Sequence, residues 1–330
     1  MADATTVVRA ATPEPTLSAG LGTGIFWVVL AAAISGVSTF VNFSAVAGTS
    51  SDAFVTVRNV AVALLLVPIA YVSLRARPWE VRRLELLALV GIGVVGGGVA
   101  FLLFFHGLAL AAAQGGAATA SFGYRTLFLM AAVLGFVALG ERLPGRAMVA
   151  AALLLIGTAL LMSFTQPIWT DGTMYVLGAT ALWAGEYTLA RRLLRRLPTM
   201  TVVASRMGFG AIFLTVYLAA TGQVGAVARF GGSEWEWVGI SAALLAAFVL
   251  TWYPGLRRME VGPASAVLTI GLPITWALSI VVLGAAYTPS QALGAIAIVA
   301  GALLYPGAET VRRAVREGAK IVGRARGRAS

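Results

Sequence analysis

Apolar residues run in long unbroken blocks along this chain, and polar residues gather in the short breaks between them. Ten blocks can be marked out, over 22–44, 52–74, 84–111, 115–139, 146–165, 172–191, 199–221, 235–256, 262–284 and 289–308. Each is about as long as the roughly 20 residues a helix needs to cross a bilayer. Within a block the apolar residues do not alternate with polar ones, as the strands of a membrane barrel would require. The pattern therefore predicts an all-α membrane protein of ten transmembrane helices. The connections are short, as in a compact bundle.

Charge placement adds an orientation. Arg75, Arg77, Arg82 and Arg83 lie between the second and third blocks, and Arg142 and Arg146 between the fourth and fifth. Arg191, Arg192, Arg195 and Arg196 follow the sixth block, and Arg257 and Arg258 follow the eighth. The intervening loops hold only Arg229. Basic residues on alternate loops mark the cytoplasmic side, so both termini are expected there. The same alternation accounts for the net charge of +11 without a nucleic-acid partner. The basic tail 309–330 suits contact with anionic membrane lipids, and 1–21 reads as a polar cytoplasmic tail.

Composition narrows the chemistry. Only 11% of the 330 residues are charged, and the mean hydropathy is +0.89. There is no cysteine and one histidine, which removes thiolate chemistry and any multi-histidine metal site. No cofactor and no enzymatic activity are expected. Gly91–Gly96 matches the spacing of a dinucleotide loop, but it lies inside an apolar block with no acid at Ala111 to Gln114, about 20 residues on, so it lacks the context that motif needs. Gly93 and Gly97 are better read as a close-packing helix face.

The chain also repeats itself. Leu134–Leu161 aligns without gaps on Leu278–Tyr305, setting Gly140 over Gly284 and Gly157 over Gly301. The second block echoes the seventh, with Arg58 over Arg206. Two five-helix repeats follow, 22–165 and 166–308. Five is odd, so the second is expected to be inverted, an arrangement that places a substrate site between the repeats near the midplane.

The units "ASFGYRTLFLMAAVLGFVALGERLPGRAMVAAALLLIGTALL" and "YPGLRRMEVGPASAVLTIGLPITWALSIVVLGAAYTPSQALGAIAIVAGALL" resemble the paired carboxy-terminal helices of the EamA-type drug/metabolite transporter superfamily. Gly140-Glu141-Arg142 keeps that pattern, whereas Ala285 and Ala286 replace the glutamate and its neighbour in the second copy. "FFHGLALAAAQ" with "FGYRTLFLMAAVLG" is most similar to the bacterial aromatic amino acid exporters. The resemblance implies a central cavity and a bacterial inner-membrane exporter of aromatic or other hydrophobic amino acids. The inverted repeats imply alternating access, and two fused repeats that can close a pathway within one chain favour a monomer. The alternatives are a transporter of another small metabolite or drug, a nucleotide-sugar or lipid translocator, or a channel.

The candidate substrate-binding residues are Asn42, Phe105, His106, Tyr124, Arg125, Phe128, Trp183, Glu186, Tyr187 and Trp252. Ionisable residues inside a membrane are functional candidates by default. Glu186 and Arg206 fall at similar depth, which allows an ion pair. Arg58 is read as structural, met by Asp52 or Asp171. Arg125 either bonds backbone carbonyls or clamps a substrate carboxylate. His106 is expected on the outer wall of the chamber, with a satisfied buried histidine and a proton carrier as the alternatives. Trp183 and Tyr187 share a helix face. Ser35, Ser38 and Asn42 form a polar stripe that must avoid lipid.

Overall fold

A computed structural model describes residues 17–45, 50–75, 81–113, 123–142, 144–162 and 170–307. Most of both predicted tails, and Gln114 with Ala120-Ser121, lie outside them. The described residues form helices α1 (Leu17–Ala45), α2 (Ser51–Arg75), α3 (Arg83–Gly91), a π-helical stretch (Ile92–Val99) and α4 (Ala100–Ala113). There follow α5 (Leu127–Leu139), α6 (Gly145–Met162), α7 (Asp171–Leu194), α8 (Thr199–Ala220) and the single turn α9 (Val224–Val227). The last four are α10 (Gly232–Arg258), α11 (Val261–Leu268), α12 (Gly271–Leu283) and α13 (Pro289–Leu304).

Seven helical stretches among these residues are long and apolar enough to cross a membrane, and Gly123–Leu139 and Pro289–Leu304 are shorter apolar helices. Asp171–Leu194 is long enough but more polar, with Asp171, Glu186, Arg191 and Arg192 along it. Three predicted spans have breaks in their regular winding. The third passes through the π stretch, the fourth breaks at a turn on Thr126, and the ninth changes helix between Leu268 and Gly271.

Burial runs opposite to that of a soluble domain. Leu64, Val72, Leu84, Val137, Met148 and Val281 are largely exposed, whereas Arg58, Asn59, Arg125, Glu186 and Arg206 are almost wholly buried. So large an apolar exterior needs a partner surface, and for helices of this length that surface is lipid.

The two halves make matching contacts. α6 packs on α13, α2 on α8, α1 on α10 and α4 on α7. A methyl group added at Gly157 would lie 2.8 Å from the Gly294 carbonyl oxygen, and one at Gly301 would lie 2.8 Å from that of Ala150. The step from Ala150 to Gly294 equals the step from Gly157 to Gly301, so the two contacts are one contact seen from each half. Likewise a methyl group at Gly107 would lie 2.7 Å from the Gly172 carbonyl oxygen, and one at Gly255 would lie 3.4 Å from that of Gly24. The steps from Gly24 to Gly172, from Gly107 to Gly255 and from Arg58 to Arg206 are equal.

Gly140 and Gly284 end α5 and α12 with φ of 67° and 65°. A left-handed residue after the last helical turn is a common helix stop, and glycine takes it without steric cost. The sequence match of these glycines thus has a backbone cause. The Glu141 carboxylate then reaches across to accept the Val261 N–H at 2.9 and 3.0 Å, satisfying an orphan donor at the start of α11.

Candidate functional site

A cavity lies among α1, α2, α4, α7, α8 and α10. Its polar wall is α1. Ser35, Ser38, Thr39 and Asn42 line it, because steps of three and four residues return to one helix face. The wall is held in place by short bonds. Thr39 donates to the Ser35 carbonyl at 2.8 Å, Asn42 Nδ2 donates to Ser38 Oγ at 3.2 Å, and Ser241 Oγ donates to Asn42 Oδ1 at 2.6 Å.

The opposite wall is aromatic. Trp183 meets Phe101, Phe104 and Tyr124 at ring-centroid distances of 5.2, 5.3 and 5.4 Å. Its Nε1 donates to the Gly96 carbonyl at 3.0 Å, so the indole is fixed at both its edge and its polar atom. Tyr187 and Phe248 complete the wall. Edge-to-face and tilted pairs of this kind are worth about 1 kcal/mol beyond the area they bury.

Arg58 and Arg206 both line the cavity, but they differ in their partners. Arg206 Nε is 3.4 Å from Glu186 Oε2, and its Nη2 donates to the Gly96 carbonyl at 3.2 Å. On its other oxygen, Glu186 accepts the Tyr253 hydroxyl at 2.6 Å. Gly96 permits this approach, since a methyl group there would lie 2.8 Å from the Glu186 carboxyl carbon. Arg58 instead stacks over Phe101 and Phe105, with its guanidinium carbon 4.8 and 5.4 Å from their centroids. Its Nε and Nη2 are buried with no hydrogen-bond partner.

A further chamber shares Thr39, Asn42, Phe104, Phe105 and Tyr124 with the first and adds Leu108 and Arg125. Arg125 lies 5.1 Å from the Tyr124 centroid, and its Nε has no partner. It also borders a small pocket with Ser265, whose buried hydroxyl is unpartnered too. At the other end of the bundle the helices are tied together. Arg196 pairs with Glu85 at 2.7 Å, Arg191 donates to the Arg257 carbonyl, and Arg257 donates to that of Leu197 at 3.1 Å.

Of the residues singled out in the sequence, Asn42, Phe105, Tyr124, Trp183 and Tyr187 line the main cavity, and Arg125 lines its extension. Four stand elsewhere. His106 is exposed on the outside of α4, its ring 4.9 Å from that of Tyr175. It is one residue beyond the buried Phe105, and one step turns a helical side chain by roughly 100°. Phe128 is 1% exposed and packs with Ala132 and Leu272 in a separate core cluster. Trp252 is fully buried behind Tyr187, at 4.7 Å between centroids. Glu186 stands behind the wall, its carboxylate taken up by Arg206 and Tyr253.

The aspartates offered as partners of Arg58 do not meet it. Asp52 accepts bonds from Tyr217 and Gln223, and among the described residues the ion pairs are Arg196–Glu85 and Arg206–Glu186. Sequence reasoning missed Phe101, Phe104 and Phe248 as wall residues. Ser38 in the position that matches Glu186 is the signal that Arg58 lacks the internal carboxylate that Arg206 has.

Comparison with known proteins agrees with this architecture. The model of the EamA-like transporter family matches twice, over residues 22–163 and 170–305. No curated protein matches the chain. A solved structure described as "Crystal structure of protein" is similar over 87% of this chain and 97% of its own, with a TM-score of 0.64 and 21% identity. At that identity the likeness speaks for the fold.

Proposed function

We propose, from the premise that this chain belongs to the EamA-like transporter family, that it exports amino acids with aromatic or other apolar side chains across the bacterial inner membrane. The family, within the drug/metabolite transporter superfamily, consists of transporters and not enzymes, and the chain is a multi-pass membrane protein built of two such repeats. The amino-acid reading rests on one observation, the cavity with an aromatic wall on one side and the hydroxyl-and-amide wall of α1 on the other. An aromatic wall takes an apolar side chain by area and ring contacts. The few placed polar groups orient the rest of the ligand.

In this reading Asn42, Phe105, Tyr124, Arg125, Trp183 and Tyr187 contact the substrate. The matching glycine contacts support an inverted pair of five-helix repeats and hence alternating access. The seven long apolar helices, the two shorter ones and Asp171–Leu194 would together make the ten spans, with both termini cytoplasmic. In that orientation the chambers near Asn42 and Leu108 face outward, and the ties among Arg191, Arg196 and Arg257 close the inner end. Two fused repeats enclose a pathway within one chain, which supports a monomer.

The test is uptake of labelled amino acids into proteoliposomes holding the purified protein. Phenylalanine or a similar amino acid should enter, and unlabelled aromatic amino acids should compete with it. If no amino acid in a full panel moves, the substrate is another small metabolite or drug. Steady currents in planar bilayers would replace alternating access with a channel.

A further inference from the structure

We infer that Arg58 is the anion-binding residue of the cavity, so that the transported molecule must bring a carboxylate or equivalent negative group to it. The argument starts from the match between the halves. Ser38 stands as far before Arg58 as Glu186 stands before Arg206, and Phe105 stands as far after Arg58 as Tyr253 does after Arg206. In the second half these three positions make a closed unit, in which the Glu186 carboxylate is held between the Arg206 guanidinium and the Tyr253 hydroxyl. In the first half the arginine remains, but serine replaces the carboxylate and phenylalanine replaces the phenol.

The consequences are visible in the cavity. Ser38 and Arg58 both line it, and the Phe105 ring lies under the guanidinium, 5.4 Å from its carbon to the centroid, instead of bonding to a carboxylate. Arg58 is 2% exposed, with Nε and Nη2 orphaned. Its neighbour Arg206 is neutralised by Glu186 and offers no counter-charge. A buried guanidinium without an acid is costly. Two phenyl faces offset part of that cost, and a planar carboxylate matches the remaining donors. The protein supplies the anion internally to one arginine and leaves the other for its cargo. Phe101, Phe104 and Trp183 stand near enough to receive an aromatic side chain from a molecule anchored there.

This inference deepens the amino-acid reading and rests on it for the name of the cargo, but not for the anion. Three probes separate the groups: L-phenylalanine, which has both carboxylate and ammonium, 3-phenylpropionate, which keeps only the carboxylate, and phenethylamine, which keeps only the ammonium. Binding to the detergent-purified full chain is measured by calorimetry, alongside competition for transport in proteoliposomes. The expected result is that both carboxylates bind and the amine binds at least tenfold more weakly, since a hydrogen bond to a charged group is worth about one to two decades of affinity.

Arg58→Gln should weaken the two carboxylates by about tenfold to a hundredfold and bring them level with the amine. Ser38→Glu is the second variant. It offers Arg58 an internal partner like that of Arg206, so the chain should fold at wild-type stability and yet lose carboxylate binding. Equal binding of amine and carboxylates to the wild type, or a folded Ser38→Glu protein that binds phenylpropionate unchanged, overturns the inference. If phenylpropionate binds through Arg58 but no amino acid is transported, the anion site stands and the amino-acid reading falls. If amino acids are transported while the amine competes equally, the reverse holds.

Discussion

Tyr253 donates its hydroxyl hydrogen to Glu186 at 2.6 Å, while Arg206 holds the other oxygen of the same carboxylate at 3.4 Å. These residues come from α10, α7 and α8, so one buried carboxylate ties three helices together behind the cavity wall. Removing one partner of a buried ion pair leaves an uncompensated charge and costs about 3–5 kcal/mol. Arg206→Met should therefore lower the thermal unfolding midpoint in detergent far more than Tyr253→Phe, which loses one charge-assisted bond worth about 2 kcal/mol. The Glu186→Gln/Arg206→Met double variant should recover part of the loss. An Arg206→Met protein as stable as the wild type would show that the triad does not hold these helices.

Among the described residues Glu141 alone accepts the Val261 N–H at the head of α11. Glu141→Ala orphans that donor and should cost about 1 kcal/mol, as loss of a helix cap does, whereas Glu141→Gln keeps an acceptor. Burial raises the carboxyl above its ordinary range, the Val261 N–H opposes this, and nearby Glu260 adds to it. A carboxyl that binds its proton more tightly when folded stabilises the fold below its unfolded pKa, and that contribution is lost as pH rises through the folded one. The wild type should therefore lose stability relative to Glu141→Gln as pH rises past the ordinary carboxylate range. Unfolding midpoints of the two proteins, measured side by side from pH 4 to 8 (roughly spanning that range), check this. A constant gap between them would refute it.

The pairing of α6 with α13 depends on backbone approach. A side chain at Gly157 would meet the Gly294 carbonyl at 2.8 Å and the Ile298 nitrogen at 2.9 Å, while one at Gly178 meets nothing within 4 Å. Gly157→Val should destabilise by about 2 kcal/mol through overpacking. Gly178→Ala should be neutral or slightly stabilising, by helix propensity. Yield and monodispersity after size-exclusion chromatography give the readout, and equal behaviour of the two variants would argue against close packing at this seam.

Much of this arrangement could be read from the chain, and the failures share one cause. Gly140 over Gly284 was legible because a left-handed helix stop selects glycine in both copies. The Ser35–Ser38–Asn42 stripe was legible because polar atoms cannot face lipid. Facing was not legible where both choices are apolar. Around Phe105 and His106 the helix is hydrophobic on every side, so periodicity does not separate the lipid face from the core face. Trp252 and Phe128 failed in the same way, since an aromatic residue suits a cavity wall and a packed core equally. The partners of Arg58 were not legible because its neighbours, Phe101 and Phe105, come from a helix distant in sequence and are apolar.

His106 offers the sharpest test of facing. Its ring makes an edge contact with Tyr175 on the outside of the α4–α7 pair, and its neighbour Phe105 reaches the cavity in its place. A residue that never meets the cargo changes neither affinity nor turnover when shortened. His106→Ala should leave the rate of labelled phenylalanine uptake and its competition profile within about twofold of the wild type. The pH dependence of uptake should also be unchanged, because an imidazole outside the pathway has no proton to hand over. Phe105→Ala strips the Arg58 platform and part of the wall, so it should weaken phenylalanine competition by about tenfold, in line with the cost of deleting a buried aromatic contact. If His106→Ala weakens competition as strongly as Phe105→Ala does, α4 is turned differently in the working transporter.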